Sequence, residues 1–213
     1  MRIVRLTLAV EKNLLRARQK RDAETQRIVA EIIHDVRRRG YTALSAWVKK
    51  LDDIDLQRES LWIAESEIRA ARKQVGGDFL RALEHAARNV RRVAEKQLPK
   101  PWTMEVELGV KIGQLVRPID AIGCYVPGGR FALVSTMVMT VVPAQVAGVR
   151  HIQVACPRPN TALLAAAGVL GVTRIARMGG AQAIAALAYG TKRVARVEKI
   201  FGPGNRFVTA AKQ

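Results

Sequence analysis

A chain of 213 residues that is 49% apolar and 25% charged can bury a core beneath a soluble surface, which excludes disorder and leaves room for one large or two small domains. Its 36 Lys and Arg against 18 Asp and Glu give a formal net charge of +18, which attracts phosphates, nucleic acid or an anionic membrane without choosing among them. With only Cys124 and Cys156, the chain can hold neither a disulfide framework nor a zinc site of cysteine alone, a usage that fits a reducing cytoplasm.

The N-terminal apolar run from Leu6 to Val10 is short and interrupted by Thr7, too weak for a signal peptide. Leu14, Ile28, Ile32, Ile33 and Val36 fall near one stripe and predict a first helix, which Arg37-Arg38-Arg39-Gly40 ends with last-turn cations and a C′ glycine. Ala43, Leu44, Trp47, Val48 and Leu51 predict a second. A third is expected from Glu65 to Val75, and a fourth from an N-cap at Asp78 through Leu80, Leu83, Ala87, Val90 and Val93 to Leu98-Pro99. Residues 1–103 thus read as a mainly helical region, part of an incomplete first domain.

From Met104 the texture changes to short apolar runs punctuated by glycine and proline, predicting strands at Met104–Leu108, Gln114–Val116 and Ala121–Val126. The run from Phe131 to Val149 is free of charge and near membrane-spanning length, but Ser135, Thr136, Thr140, Pro143 and Gln145 and the lack of an aromatic belt suit a packed core helix; no membrane is expected. A helix from Ser135 to Ala147 precedes a strand at His151–Ala155, a helix at Ala162–Leu170, a strand at Arg174–Met178, a helix at Ala181–Tyr189, a strand at Lys199–Phe201 and a helix starting after Asn205. This alternation implies an α/β fold: residues 104–213 form a Rossmann-like parallel sheet of βαβ units, truncated because the sequence stops inside its last helix.

Glycine-bearing turns fall where such a sheet holds a ligand: Tyr125-Val126-Pro127-Gly128-Gly129-Arg130, Met178-Gly179-Gly180-Ala181-Gln182 and Phe201-Gly202-Pro203-Gly204-Asn205. Glycine allows positive φ and lets a phosphate approach the amides of a helix start. None matches G-x-G-x-x-G or a Walker loop, so each alone is an ordinary strand-to-helix turn; together they suggest a shared anion or nucleotide crevice.

The runs IGCYVPGGR, STMVM, VPAQVAGV, RMGGAQAIAALAYGT and VEKIFGPGNRFVTAAK resemble, in order and spacing, the successive blocks of histidinol dehydrogenase. HDVRRRGYTALSAWVKKLD resembles that family's early helix, turn and helix, with Tyr41 where an acidic residue is usual. The resemblance covers essentially the whole chain, and the family's members are longer. It implies NAD-dependent oxidation of L-histidinol to L-histidine in histidine biosynthesis, by a cytoplasmic homodimer. It implies further that Tyr125, Gln182 and Asn205 contact the nicotinamide cofactor. A tyrosine ring can pack on a base or ribose and amides supply paired donors and acceptors, although Tyr125 could equally close the core and Gln182 and Asn205 could equally cap helices.

The family's Glu-His pair and zinc ligands follow the GPGN block, and nothing in this sequence can be assigned to them. His34, His85 and His151 are isolated, and the sequence after residue 100 holds only 4 acidic residues, so no catalytic or metal residue is expected and zinc is expected only with a C-terminal half. Other departures are Phe131 for a small residue, Leu133-Val134 for an aromatic-proline pair and Thr140 for asparagine, all near the loop after Arg130. The expected product is the cofactor-side half of such an enzyme, inactive alone and completed by a second chain or a longer parent. The alternative is a basic module without catalysis. It would bind nucleic acid through the Arg16–Arg21, Arg37–Arg39 and Arg88–Arg92 clusters, disfavoured by 5% aromatic content and the lack of a binding motif, or it would oligomerise through exposed apolar surface.

Overall fold

A computed structural model of the chain describes residues 7–128 and 133–213. Leu6, the side chains of Leu14, Arg18, Lys20 and Arg21, and Gly129, Arg130 and Phe131 lie outside the described residues.

Ile28, Val29, Ile32, Ile33 and Val36 recur at helical spacing and give helix α1 (Leu8–Arg39) an apolar stripe against the core. Gly40, at φ +59°, donates its N–H to the Val36 carbonyl, closing α1 and turning the chain directly into α2 (Tyr41–Asp52). Helices α3 (Glu65–Gln74) and α4 (Gly77–Gln97) follow. Asp78 is not the N-cap of α4, as expected; Gly76 is, and Asp78 sits in the first turn paired with Arg81. A carboxylate there still faces the positive end of the helix dipole.

The first two expected strands are displaced. They form an antiparallel ribbon, β1 (Trp102–Glu107) and β2 (Val110–Gln114), outside the main sheet. Glu107 pairs with Val110, so Leu108 and Gly109 make the turn, with Gly109 at φ +82°. Leu115 and Val116 therefore fall beyond the pairing.

The main sheet contains β3 (Ala121–Tyr125), β4 (His151–Ala155), β5 (Ile175–Ala176) and β6 (Lys199–Phe201), in the order β5-β4-β3-β6 and all parallel. Side chains alternate between its faces. Ile122, Cys124, Val154 and Ile175 pack with α3, α4, α5 (Val134–Val146) and α6 (Thr161–Val169). Tyr125, Ala155 and Ala176 pack with α1, α2, α7 (Gly180–Tyr189) and α8 (Arg206–Lys212). Crossovers between parallel strands keep one hand. The steps β3 to β4 to β5 run one way across the sheet and put α5 and α6 on one face; the return past β3 to β6 puts α7 on the other. The crevice of such a reversal opens at the C-terminal ends of the strands.

One pairing was not expected from the sequence. Ile63 donates its N–H to the Ile175 carbonyl, and the Arg177 N–H donates to the Leu61 carbonyl. Trp62 thereby bridges Ala176 antiparallel and covers the edge of β5, with its indole N–H on the Arg193 carbonyl. Helix α5, the core of the charge-free run, is buried at Met137, Val138, Val141, Val142 and Ala144. No helix among the described residues is long and apolar enough to cross a membrane.

Candidate functional site

A cavity of about 580 Å³ opens at the C-terminal ends of the parallel strands, a volume ordinary for a small-molecule site. Tyr125 and Gly128 reach it from the end of β3, Pro157 from β4, Gly180, Ala181 and Gln182 from the turn after β5, and Asn205 and Phe207 from the turn after β6. Helices α1 and α2 wall the other side with Ile28, Glu31, Trp47, Lys50 and Asp52. Tyr125, Gln182 and Asn205, distant in sequence, therefore share one cavity.

Each of them is held by a defined bond. The Tyr125 ring is buried in the layer beneath α7, and its hydroxyl oxygen accepts the Gly180 N–H at 3.1 Å. Gln182 has 0% exposure, and its Nε2 donates to Asp52 Oδ2 at 3.0 Å, while its Oε1 is buried with no partner among the described residues. Asn205 Oδ1 accepts the N–H groups of Phe207 at 3.0 Å and Val208 at 3.1 Å, so Asn205 caps α8, the structural role that the sequence left open for it.

Sequence reasoning missed Asp52, the last residue of α2. Its Oδ2 accepts the Gly179 N–H at 2.9 Å as well as the Gln182 amide, tying α2 to the glycine turn that starts α7. The chain leaves α2 through Asp53 at φ +55°, and the Arg158 guanidinium satisfies the carbonyls of Asp52 at 2.9 Å and Asp53 at 2.7 Å. Its only sequence signal was position, a carboxylate at the end of the KKLD run, which the block pattern did not single out.

These bonds change what the turns can hold. The Gly179 and Gly180 N–H groups are taken by Asp52 and Tyr125, and the first free amides of α8 by Asn205. The amides of Gly179, Gly180, Phe207 and Val208 are thus taken by protein oxygens rather than held open for an anion, as the reading of each turn alone as an ordinary strand-to-helix turn allows. What the cavity offers is a buried tyrosine, a fixed carboxamide, a carboxylate and apolar walls, a set suited to a flat heterocycle or ribose carrying hydrogen-bonding groups. Gly180 makes room for the Gln182 carboxamide: at φ +60°, a Cβ there would stand 2.5 Å from Gln182 Oε1.

Burial pushes the Asp52 carboxyl above its usual range, opposed by the Gly179 and Gln182 hydrogen bonds and the Arg158 charge. Burial likewise raises the Tyr125 hydroxyl, opposed by the Gly180 N–H. The two thiols are buried, which pushes Cys124 to about 11 and Cys156 to about 12 and makes both poor nucleophiles. His85 bonds Asn89 on its own helix, and no group of three His, Cys, Asp or Glu among the described residues could hold a metal ion.

The family model for histidinol dehydrogenase matches residues 15–213. Histidinol dehydrogenase of Neisseria meningitidis serogroup A is 42% identical over 207 residues, covering 95% of this chain and 48% of that protein. That of Geobacillus kaustophilus is 45% identical over 196 residues, covering 89% and 46%. The crystal structure of histidinol dehydrogenase from Elizabethkingia anophelis superposes with a TM-score of 0.83 at 36% identity, over 88% of this chain and 44% of that one. The chain spans about half the length of the curated relatives it matches.

Proposed function

The chain belongs to the histidinol dehydrogenase family, and on that premise we propose that it forms the NAD-holding half of a cytoplasmic enzyme that oxidises L-histidinol to L-histidine. The observation that carries the reading is the convergence of Tyr125, Gln182 and Asn205 from separate strand ends into one cavity. In this reading residues 104–213 are the cofactor-side domain, and residues 1–103 belong to a first domain completed elsewhere.

The residues fit the cofactor's uncharged portions. Gln182 brings a buried acceptor with no partner among the described residues, Tyr125 a hydroxyl already oriented by Gly180 N–H, and Asn205 an amide nitrogen whose oxygen is committed to α8. When bound, NAD supplies the hydride acceptor. The chain's own residues orient and bury; a general base is another matter. His34, His85 and His151 do not line the cavity, and no residue of this sequence matches the family's Glu-His pair. No cluster among the described residues fits zinc, which in this reading belongs to a C-terminal half.

Such a half, or a second copy of the chain, would need a surface. The ribbon exposes Trp102, Met104, Val106, Val110 and Ile112, and beside it Leu98, Val116, Ile119, Met139 and Phe201 line an apolar groove. The test is to assay NADH formation from histidinol with zinc, first by the chain alone and then with the C-terminal half of a full-length relative. Turnover only in the mixture is expected. Turnover by the chain alone would overturn the reading, because orientation of a cofactor without a proton acceptor supplies little of the barrier reduction.

A further inference from the structure

We propose that the end of the parallel sheet opposite the cavity binds the phosphate backbone of a nucleic-acid duplex through a row of arginines and lysines, without reading base sequence. This role is independent of the NAD reading and draws on charge which that reading leaves unused, a surplus of +18 in the whole chain.

The row follows from the topology. Helix α7 runs back from the cavity, so the loop that joins it to β6 crosses at the N-terminal ends of the strands. Hydrogen bonds trace its course. At the outer edge of β5 the Trp62 indole donates to the Arg193 carbonyl at 3.0 Å, and from β4 Gln153 Nε2 donates to the Ala195 carbonyl at 2.9 Å. At the start of β3 the Ala121 carbonyl accepts the Glu198 N–H at 3.0 Å, and β6 begins at the next residue. With neighbouring strands about 4.8 Å apart, the loop spans roughly 14 Å across the sheet.

This loop carries Lys192, Arg193 and Arg196. Arg150 and Arg174 stand before β4 and β5, and Arg37 in the last turn of α1 lies over the ring of Tyr189, the last residue of α7, at 5.3 Å. All of these cations are exposed, and none makes an ion pair among the described residues. The carboxylates beside them are fewer: Glu198 accepts the Asp120 N–H at the strand starts, and Asp55, which shares a cavity wall with Arg193, is held by Lys49. Helix C-termini at this edge also attract cations, but each offers only about half a negative charge, so the row stays positive. A row one loop wide matches a strand of phosphates better than the plane of a lipid surface. Single strands are held by stacking bases on aromatic rings, and here guanidinium groups cover the rings, Arg174 on Trp62 at 4.0 Å and Arg193 on Tyr41 at 4.8 Å. One strand of a duplex presents a phosphate about every 3.4 Å along the axis, so the row faces about four of them. Contacts confined to phosphates carry no sequence information.

The experiment titrates short fluorescent DNA duplexes of differing sequence with the full chain at several salt concentrations and reads anisotropy. The parent should bind all of them alike, the logarithm of its affinity falling against the logarithm of salt with a slope of about −3 to −4. Lys192→Gln with Arg196→Gln removes two cations whose side chains make no hydrogen bond or ion pair among the described residues, so the fold is not at stake. That variant should flatten the slope by about two and bind about tenfold or more weakly near 0.1 M salt. Arg88→Gln with Arg92→Gln removes the same charge from the exposed side of α4 and should keep the parental slope. An equal loss in the two variants would show that total charge, not this row, holds the duplex, and would overturn the proposal. So would a parent that binds no duplex, one that binds vesicles containing phosphatidylserine but not the duplex, or an affinity that varies tenfold or more with sequence.

Discussion

Replacing Gly123 by alanine should destabilise the chain through one identifiable side chain. Gly123 lies in the central strand β3 on the face covered by α7, and an added Cβ would stand 2.9 Å from Leu187 Cδ1 and 3.3 Å from Cδ2. Leu187 has 0% exposure and belongs to the layer that also holds Ile184 and Val197, so its methyl groups cannot swing away into solvent. Overpacking of this kind costs about 1–3 kcal/mol, and a chain of this size loses roughly 2–4 °C of Tm per kcal/mol. Leu187→Ala alone should cost about 2–5 kcal/mol by leaving a cavity. In the double variant the new methyl enters the space that the leucine vacates, so the combined loss should fall short of the sum by roughly 0.5–3 kcal/mol. Denaturant unfolding of the parent, both single variants and the double variant measures this directly. Additive losses, or a Gly123→Ala chain as stable as the parent, would refute the contact between β3 and the helix that carries Gln182.

Gly202→Ala should be more severe, with a loss of at least about 3 kcal/mol or no folded protein: Gly202 has φ +121°, and a side chain there would collide with the Tyr125 carbonyl. A soluble variant with parental Tm would contradict that geometry. Asn205→Ala removes both cap bonds of α8 and should cost about 1 kcal/mol, with faster hydrogen exchange at Phe207 and Val208; unchanged exchange would show that the cap is not formed in solution. Burial raises the folded-state pKa of Asp52 above its ordinary value of 3.8, so the folded chain holds that proton more tightly than the unfolded one. The stability this lends is present below the ordinary value and is lost as pH rises through the folded one. Asp52→Asn should therefore gain stability relative to the parent as pH rises above 3.8, and unfolding curves with the opposite trend would contradict the burial of that carboxylate.

Local patterns made much of this fold legible. Glycine and last-turn cations marked the end of α1, and short apolar strands alternating with apolar helices marked the parallel sheet, because both signals arise within a few residues of the element they define. Other features depend on partners far along the chain. Leu61–Ile63 becomes an edge pairing only because β5 is short and open on that side, and nothing around Trp62 announces it. The ribbon moved because its register follows the turn at Gly109 rather than the hydrophobic run, so Leu115 and Val116 were read as paired when they are not.

The site divides in the same way. Tyr125, Gln182 and Asn205 stand beside glycine turns that any α/β reading inspects, whereas Asp52 joins them only after α2 has folded across α7, a contact between positions more than a hundred residues apart. The turns together suggest a shared anion or nucleotide crevice because glycine frees the backbone, but an anion also needs amides left free. In this chain Asp52, Tyr125 and Asn205 take up the amides of Gly179, Gly180, Phe207 and Val208, so those groups are not open to an anion.

The central claim is that the strand-end turns and α2 together build a cofactor cavity. Titrating the isotopically labelled chain with NAD and following its amide and side-chain NMR signals tests it most directly. Saturable shifts are predicted at Gly128, Gly180, Gln182, Asn205 and Phe207, with the Gln182 side-chain amide among them. An absence of shifts at those residues, or shifts confined to the apolar groove around Val116 and Phe201, would contradict it.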